Sequence, residues 1–195
     1  PDARRPDYTL LQGDLTAAYS AKVREVTRAF VFLHLRDPRV PAVLLVFDRV
    51  VSADPTFRKF WLLHTVEEPQ LAESQATVDR SAHGQRGRLN LDVLLPERGD
   101  AELSKVGGPG REYWVFGTNF ANDVDPARRE RTSLETGEWR IELSPRRPAA
   151  ENLFLTVMQT TDRNAPARLP VARLDAGDRT GCVIRGADAT TVVLL

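Results

Sequence analysis

The sequence predicts an all-β fold, an antiparallel β-sandwich, and three observations lead to this prediction. Short apolar runs rich in β-branched and aromatic residues recur along the 195 residues. Stretches rich in Gly, Pro and charged residues separate these runs and have the chemistry of turns. No segment carries the apolar stripe of an amphipathic helix; the best helical alternative, residues 16–29, is rich in Ala but lacks that stripe.

The first two predicted strands form a hairpin in the core. Residues 29–35 are apolar almost throughout, which is typical of a strand covered on both faces. The turn signal Asp37-Pro38 follows them. Residues 42–51 then repeat the same composition until a second turn signal, Asp54-Pro55, ends the run.

Later strands are predicted at short spacing, and they complete the sandwich. They are residues 58–66, 87–95, 112–117, 139–143 and 153–160. Residues 121–137 are charged and carry few apolar side chains, so we expect an exposed loop in which residues 128–131 face solvent.

A weaker break near residues 163–166 divides the chain. We assign residues 1–163 to part of a large antiparallel β-sandwich and residues 164–195 to the start of a terminal, truncated β segment. The first residues hold neither an initiator Met nor a signal segment, and the last residues are an apolar, strand-like run. We therefore expect the sequence to be a piece of a longer protein.

The composition argues against nucleic-acid and membrane partners. Basic and acidic residues number 27 each, so the chain has no basic field to neutralise a nucleic-acid backbone. The apolar run 40–47 is bounded by Arg39 and Asp48 and is too short to span a membrane. The single Cys182 excludes an internal disulfide and a Cys-based zinc cluster, and its apolar neighbours predict a buried, inert thiol.

Two stretches look selected for more than packing: "GDLTAAYS" at residues 13–20 and "KFWLLHT" at residues 59–65. Strand alternation places His64 on the same face as Leu62. We expect residues 61–63 to be mostly buried and His64 to be a hydrogen-bonded core histidine. The alternative is an active-site role, which would place His64 in a cleft with a perturbed pKa.

No metal site and no phosphate loop are predicted. The histidines at positions 34, 64 and 83 lack the short paired spacing of a zinc site, so we expect no metal cofactor in this chain. The segment "GGPG" at residues 107–110 precedes a predicted strand, which indicates a turn.

Three aromatic residues near basic ones leave two interpretations open. Tyr113, Trp114 and Phe116 lie close to Arg111 and Lys105 in the sequence. Aromatic faces and cationic groups suit an acidic carbohydrate, so these residues could form a platform on which sugars stack. Strand alternation must bury one side, however, which favours core packing for at least two of the three aromatic rings.

An ordered set of segments resembles the β-sheet region in the later part of heparinase II/III-like polysaccharide lyases. The resemblance runs from about Tyr8 to about Thr161, and its segments are "GDLTAAYS", "VTRAFVFLHL", "VLLVFDRVVSADPTFRKFWLLHT", "EEPQ", "GGPGREYWVFG" and "GEWRIELSP…ENLFLTVMQ". In that family an N-terminal α/α toroid abuts a large antiparallel β-sandwich, and the substrate cleft lies between them. The enzymes cleave polysaccharides that contain uronic acid by β-elimination.

The resemblance implies a non-catalytic role for this chain. The family's catalytic Tyr and His, and the zinc ligands of its metal-containing members, come from parts upstream of the matching region. The chain has no match for the family's His-x-Asp strand or Asp-Ser-Gly segment, so no catalytic or metal residue is assigned. The isolated chain is expected to be inactive and to act as a scaffold and one wall of the substrate cleft.

The resemblance also supplies candidate contacts and partners. Tyr19, Arg58, Lys59 and His64 are the candidate substrate-binding residues at the cleft rim. The expected partners are an acidic polysaccharide, heparin-like, heparan-like or alginate-like, and the upstream α/α toroid of the same protein. A bacterial, secreted or periplasmic location follows from the family. The alternatives are a stand-alone carbohydrate-binding β-sandwich and a purely structural or interaction module.

Overall fold

A computed structural model describes residues 7–120, 136–164 and 168–195. Within these ranges the chain forms fifteen β-strands and one short 3₁₀ turn, Thr16–Ala18, and no α-helix. Every strand pair is antiparallel. The predicted fold class, an all-β protein built from antiparallel sheets that pack as in a sandwich, is confirmed. The predicted exposure of residues 128–131, and most of the predicted loop, lie outside the described residues.

The strands are β1 Tyr8–Asp14, β2 Val23–Asp37, β3 Val40–Ser52, β4 Trp61–Thr65, β5 Gln70–Ala72, β6 Gln75–Ala82, β7 Gln85–Leu95, β8 Ala101–Gly107, β9 Trp114–Val115, β10 Thr118–Asn119, β11 Trp139–Pro145, β12 Glu151–Asp162, β13 Val171–Ala176, β14 Arg179–Arg185 and β15 Thr190–Leu194.

One large sheet carries the architecture. Its seven strands have the order β1-β2-β3-β12-β7-β6-β5. A first three-stranded sheet, β4-β11-β8, is called the small sheet below, and a second one, β13-β14-β15, is called the terminal sheet. The two remaining strands, β9 and β10, form a hairpin of their own.

The small and terminal sheets pack on opposite faces of the large sheet. The core below the small sheet includes Val46 of β3 and Ile141 of β11, whereas the core below the terminal sheet includes Leu45 of β3 and Ile184 of β14. Neighbouring residues of a strand point to opposite faces, so Leu45 and Val46 mark the two sides of one sheet. Burial of each such side chain contributes roughly 1.5–3 kcal/mol.

The apolar runs of the sequence coincide with the strands that are covered on both faces. The predicted hairpin of residues 29–35 and 42–51 is β2 paired with β3, and the predicted strand 153–160 is the central strand β12. Residues 16–29 are not helical beyond the 3₁₀ turn. In the stretch "GDLTAAYS" only Gly13 and Asp14 belong to a strand, the end of β1, and the other residues form the 3₁₀ turn and a loop.

The last described range, residues 168–195, contains the terminal sheet. Leu169, Cys182 and Ile184 join this sheet to the core of the large one. Cys182 is fully buried, as predicted, and its burial raises the pKa of the thiol to about 12. None of the described residues forms a helix long and apolar enough to cross a membrane.

Candidate functional site

A cavity of about 300 Å³ opens where the end of β3 meets the start of β4. Three of the four predicted contact residues, Tyr19, Arg58 and Lys59, line it together. Lys22 and Arg28 line the cavity too, so it has four basic side chains in all. Asp48 is the single acidic residue of the lining. The cavity is therefore cationic although the chain as a whole has no net charge.

The loop that carries Tyr19 is fastened to the large sheet by local hydrogen bonds. The backbone N–H of Thr16 donates to Oδ1 of Asp14 at 2.8 Å, which turns the chain out of β1. Oγ1 of Thr16 accepts a hydrogen bond of 2.9 Å from the backbone N–H of Val26 on β2. The 3₁₀ turn is thereby held against β2, and Tyr19, with 54% of its surface exposed, lies at the cavity mouth.

The opposite wall is the segment that links β3 to β4. This segment begins with a turn at Asp54. Oδ1 of Asp54 accepts one hydrogen bond from the backbone N–H of Thr56 at 2.8 Å and another from the Thr56 hydroxyl at 2.6 Å. This arrangement is an Asx turn, which the sequence signal Asp54-Pro55 had indicated. The turn sends residues 57–59 across the cavity before β4 begins at Trp61.

The floor of the cavity is apolar and rigid. Val26, Trp61 and Phe154 contribute to it, and each is buried. The three come from β2, β4 and β12, so both the large and the small sheet form the floor. A ligand in the cavity would meet an apolar surface below and cationic groups at the rim.

Arg28 is neutralised by Asp48, which lies directly opposite it on β3. Nε of Arg28 donates to Oδ1 at 2.7 Å and Nη2 donates to Oδ2 at 2.5 Å. This bidentate pair raises the pKa of the Arg28 guanidinium above its ordinary value. The Asp48 side chain is only 4% exposed, so the pair belongs to the framework of the site.

Lys59 and Lys22 have no carboxylate partner among the described residues. Nζ of Lys59 donates to the carbonyl oxygens of Ala149 at 2.6 Å and Phe57 at 3.2 Å. Burial lowers the pKa of Lys59 below its ordinary value. Nζ of Lys22 lies 5.6 Å from the centre of the Phe57 ring. Both lysines line the cavity, and the described part of the chain supplies no carboxylate for either charge.

Arg58 is held at the rim by a weaker arrangement. Its Nη2 lies 3.0 Å from Oε2 of Glu102, and both side chains are largely exposed. The guanidinium also lies 4.8 Å from the centre of the Phe60 ring. An exposed ion pair of this kind contributes little energy, so Arg58 can exchange Glu102 for an anionic ligand at small cost.

The cationic surface continues on the far side of residues 57–59. A second cavity of about 310 Å³ lies there and shares Arg58 and Lys59 with the first. Arg146 and Arg147 line it as well. Nε of Arg146 donates to the carbonyl oxygen of Ala101 at 3.1 Å, so its charge is not neutralised by that contact.

His64 does not join the other candidates, and its predicted burial is wrong. The predicted alternation of faces along β4 is confirmed, but the face that meets the core is the one that carries Trp61, which is 4% exposed. His64 and Leu62 lie on the outer face of the small sheet, where Leu62 is 45% exposed, so the predicted burial of Leu62 is wrong too. The His64 side chain makes no hydrogen bond with a described residue. The small sheet is the outermost layer, which is why only one face of β4 is covered.

The three aromatic residues at positions 113, 114 and 116 differ in exposure, so neither the sugar-stacking interpretation nor the core-packing one describes all of them. Tyr113 and Trp114 are half-buried, whereas Phe116 is fully exposed.

His34 and His83 are exposed. The described residues contain no group of three or more His, Cys, Asp or Glu side chains that could share a metal ion.

Sequence reasoning missed Lys22, Arg28 and Asp48 as parts of the cavity. A signal for two of them exists, because Arg28 and Asp48 carry opposite charges and each lies next to an apolar run of its strand. Lys22 carries no comparable signal, since its place depends on how the loop folds over β2.

No model of a known protein family matches the chain, and no curated protein matches it either.

Proposed function

We propose that this chain is the non-catalytic β-sandwich portion of a polysaccharide lyase, and that its basic cavity binds an acidic polysaccharide as one wall of the substrate cleft. The observation that carries the proposal is the pair of lysines, Lys22 and Lys59, whose charges find no carboxylate among the described residues. A uronate carboxylate or a sulfate would supply the missing anion through charge-assisted hydrogen bonds.

The shape of the cavity supports a sugar as the carrier of that anion. The floor is formed by apolar side chains, and the rings of Phe57 and Phe60 lie beside cationic groups. Sugar rings present C–H faces that pack on such surfaces, while their charged substituents reach the rim. Heparin-like, heparan-like and alginate-like chains all have this combination.

The lyase context is supported by the ordered sequence resemblance described above. In the parent enzyme β-elimination would be performed by groups of the upstream α/α toroid and early sandwich, and this chain would hold the substrate. Polysaccharides of this kind are met outside the cytoplasm, so the proposal includes a secreted or periplasmic location. Tyr19 lies at the cavity mouth, but the cavity lining includes no histidine to pair with it.

A stand-alone carbohydrate-binding module is the second candidate. It is favoured by one observation, namely that the cations and the apolar floor of the cavity all come from this chain. The two candidates share the binding site and differ in whether it serves catalysis. A purely structural or interaction module is the third candidate, and it would leave the four basic side chains of the cavity without a ligand.

Binding of alginate and heparin oligosaccharides to the purified chain tests the proposal. We expect Lys59→Gln and Lys22→Gln each to weaken binding about tenfold, since a charge-assisted hydrogen bond contributes roughly 1.5–3 kcal/mol. The matched control is Arg98→Gln, because Arg98 is an exposed cation that pairs with Glu73 and lines neither cavity. Binding should weaken as salt concentration rises.

Two results would overturn the proposal. One is equal affinity for a neutral glucan, and the other is equal affinity of the two lysine variants and the Arg98→Gln control for the acidic chains. Incubation with either acidic polymer should also produce no ultraviolet absorbance of unsaturated uronate. Growth of that absorbance would mean that the chain alone is catalytic.

A further inference from the structure

The hairpin of β9 and β10 ends in a turn that displays a phenylalanine. Val115 pairs with Thr118 and Trp114 with Asn119, so only Phe116 and Gly117 form the turn. Both have positive φ angles, 46° and 88°. A two-residue turn of type I′ requires such angles and favours Asn-Gly, Asp-Gly or Gly-Gly.

Phe116 is a poor choice for the stability of this turn. A bulky side chain is strained at positive φ, and the first position of the turn is normally held by Asn, Asp or Gly. The ring is fully exposed, so it gains nothing from burial. A strained residue whose ring packs against no described residue suggests a function for that side chain.

The hairpin is held firmly at its base, so the ring stands on a fixed support. The backbone N–H of Tyr113 donates to Oδ1 of Asn119 at 2.8 Å, and Nδ2 of Asn119 donates to Oε2 of Glu112 at 3.1 Å. Nη2 of Arg140 on β11 donates to the carbonyl oxygen of Trp114 at 3.1 Å. These contacts attach the hairpin to the small sheet.

A cation lies next to the ring-bearing hairpin. The guanidinium of Arg111 lies 4.9 Å from the centre of the Trp114 ring, and Arg111 forms no ion pair with a described residue. Its charge is therefore open to an anion. The combination of an exposed aromatic ring and an uncompensated cation repeats the chemistry of the basic cavity.

The hairpin and the basic cavity lie at opposite ends of the small sheet. Leu143 of β11 pairs with Trp61 at the cavity floor, and Trp139 pairs with Thr65 at the end near the hairpin. The four-residue separation along β4 corresponds to about 13 Å. Leu62 and His64 lie exposed between the two ends. A polymer can reach both ends, whereas a short oligosaccharide occupies one.

We propose that the hairpin is a second binding site for the acidic polysaccharide, in which the ring of Phe116 stacks on a pyranose ring and Arg111 pairs with a carboxylate or sulfate of the chain. This inference rests on the proposed function, because the same polymer has to occupy the basic cavity. The hairpin makes the binding dependent on polymer length and contributes no chemistry.

The test compares Phe116→Asn with the wild-type chain, because Asn relieves the strain of the turn while removing the ring. We expect an unchanged or slightly higher melting temperature and an affinity for polymeric heparin or alginate that is about fivefold to tenfold lower. Affinity for a disaccharide of the same composition should stay the same. Val192→Asn is the matched control, since Val192 is an exposed apolar residue on β15 of the terminal sheet, which packs on the opposite face of the large sheet from the small sheet.

The outcomes separate this inference from the proposed function. Unchanged polymer affinity of Phe116→Asn, with weakened binding by Lys59→Gln, would overturn the hairpin site and leave the cavity standing. If Phe116→Asn weakens polymer binding and Lys59→Gln does not, the hairpin site is supported and the cavity is excluded as a binding site. No polymer binding by the wild-type chain would overturn both. Loss of self-association by Phe116→Asn at unchanged polymer affinity would show that the ring contacts a second copy instead.

Discussion

Arg28 and Asp48 face each other across β2 and β3 and are joined by two hydrogen bonds of 2.7 and 2.5 Å at the edge of the basic cavity. The pair removes one positive charge from the cavity and leaves the two lysines as its uncompensated cations. Because the Asp48 side chain is almost completely buried, this neutralisation is a fixed property of the large sheet.

The first prediction concerns this pair. Asp48→Asn leaves Arg28 without its counter-charge, and we expect a loss of about 2 kcal/mol in the free energy of unfolding. This value is below the roughly 3–5 kcal/mol typical of a fully buried pair, because Arg28 is 34% exposed and keeps part of its hydration. Urea denaturation measures the loss. The double variant Arg28→Met/Asp48→Leu should recover most of it, and failure to do so would contradict the explanation.

The second prediction concerns Asp92 on β7, whose carboxylate is buried and incompletely paired. Oδ1 accepts from Nε2 of Gln75 at 3.0 Å and lies 3.4 Å from Nη2 of Arg168, whereas Oδ2 has no partner among the described residues. Burial raises the pKa of Asp92 above 3.8. The folded state therefore holds this proton more tightly than the unfolded state does, so the contribution of Asp92 to stability improves as pH falls through its folded pKa.

Asp92→Asn removes this dependence on pH. We expect the variant to be more stable than the wild-type chain at pH 8 and to lose that advantage near pH 4, as measured by urea denaturation. Asp79→Asn is a control of opposite sign, because two hydrogen bonds from Arg88 lower the pKa of Asp79. The stabilisation from Asp79 is present above its unfolded pKa and is lost as pH falls through its folded pKa. Equal pH profiles for the two variants would contradict the prediction.

Much of the fold could be predicted from the sequence, because its central strands are apolar on both faces. Residues 29–35, 42–51 and 153–160 lie in β2, β3 and β12, which two layers cover. The strands that were missed lie at edges or carry polar residues, such as β6 and β8. β8 pairs with β11, a strand distant in sequence that local patterns do not report, whereas β6 pairs with the neighbouring β5 and β7 but carries mostly polar residues.

The candidate site was predicted in part, for a similar reason. Arg58 and Lys59 follow the Asp54-Pro55 turn, a local signal that fixes where they stand. For His64 the predicted alternation of side chains along β4 was correct, but alternation identifies only which residues share a face of the strand. Which face meets the core depends on the layer order, and the small sheet is covered on one side only.

The third prediction tests the contact between β14 and β15. A Cβ atom at Gly181 would lie 1.8 Å from the carbonyl oxygen of Val193, which is backbone and cannot rotate away. We expect Gly181→Ala to push β15 off β14 and to cost about 3 kcal/mol of stability, the upper end of the usual cost of overpacking. Gly99→Ala is the control, since a Cβ atom there meets nothing within 4 Å. Equal melting temperatures of the two variants would contradict the strand register.

The last prediction uses the two faces of β4. Trp61 is 4% exposed and packs in the core between the large and small sheets, so Trp61→Ala should lower the free energy of unfolding by about 3–5 kcal/mol. His64 lies three residues later on the opposite face, where its side chain has no hydrogen bond with a described residue. Surface substitutions of this kind usually stay within about 0.5 kcal/mol, so His64→Ala should leave the melting temperature nearly unchanged. Calorimetry on both variants decides the matter. A large loss of stability for His64→Ala would mean that the outer face of the small sheet is covered, and it would restore the buried histidine that the sequence had suggested.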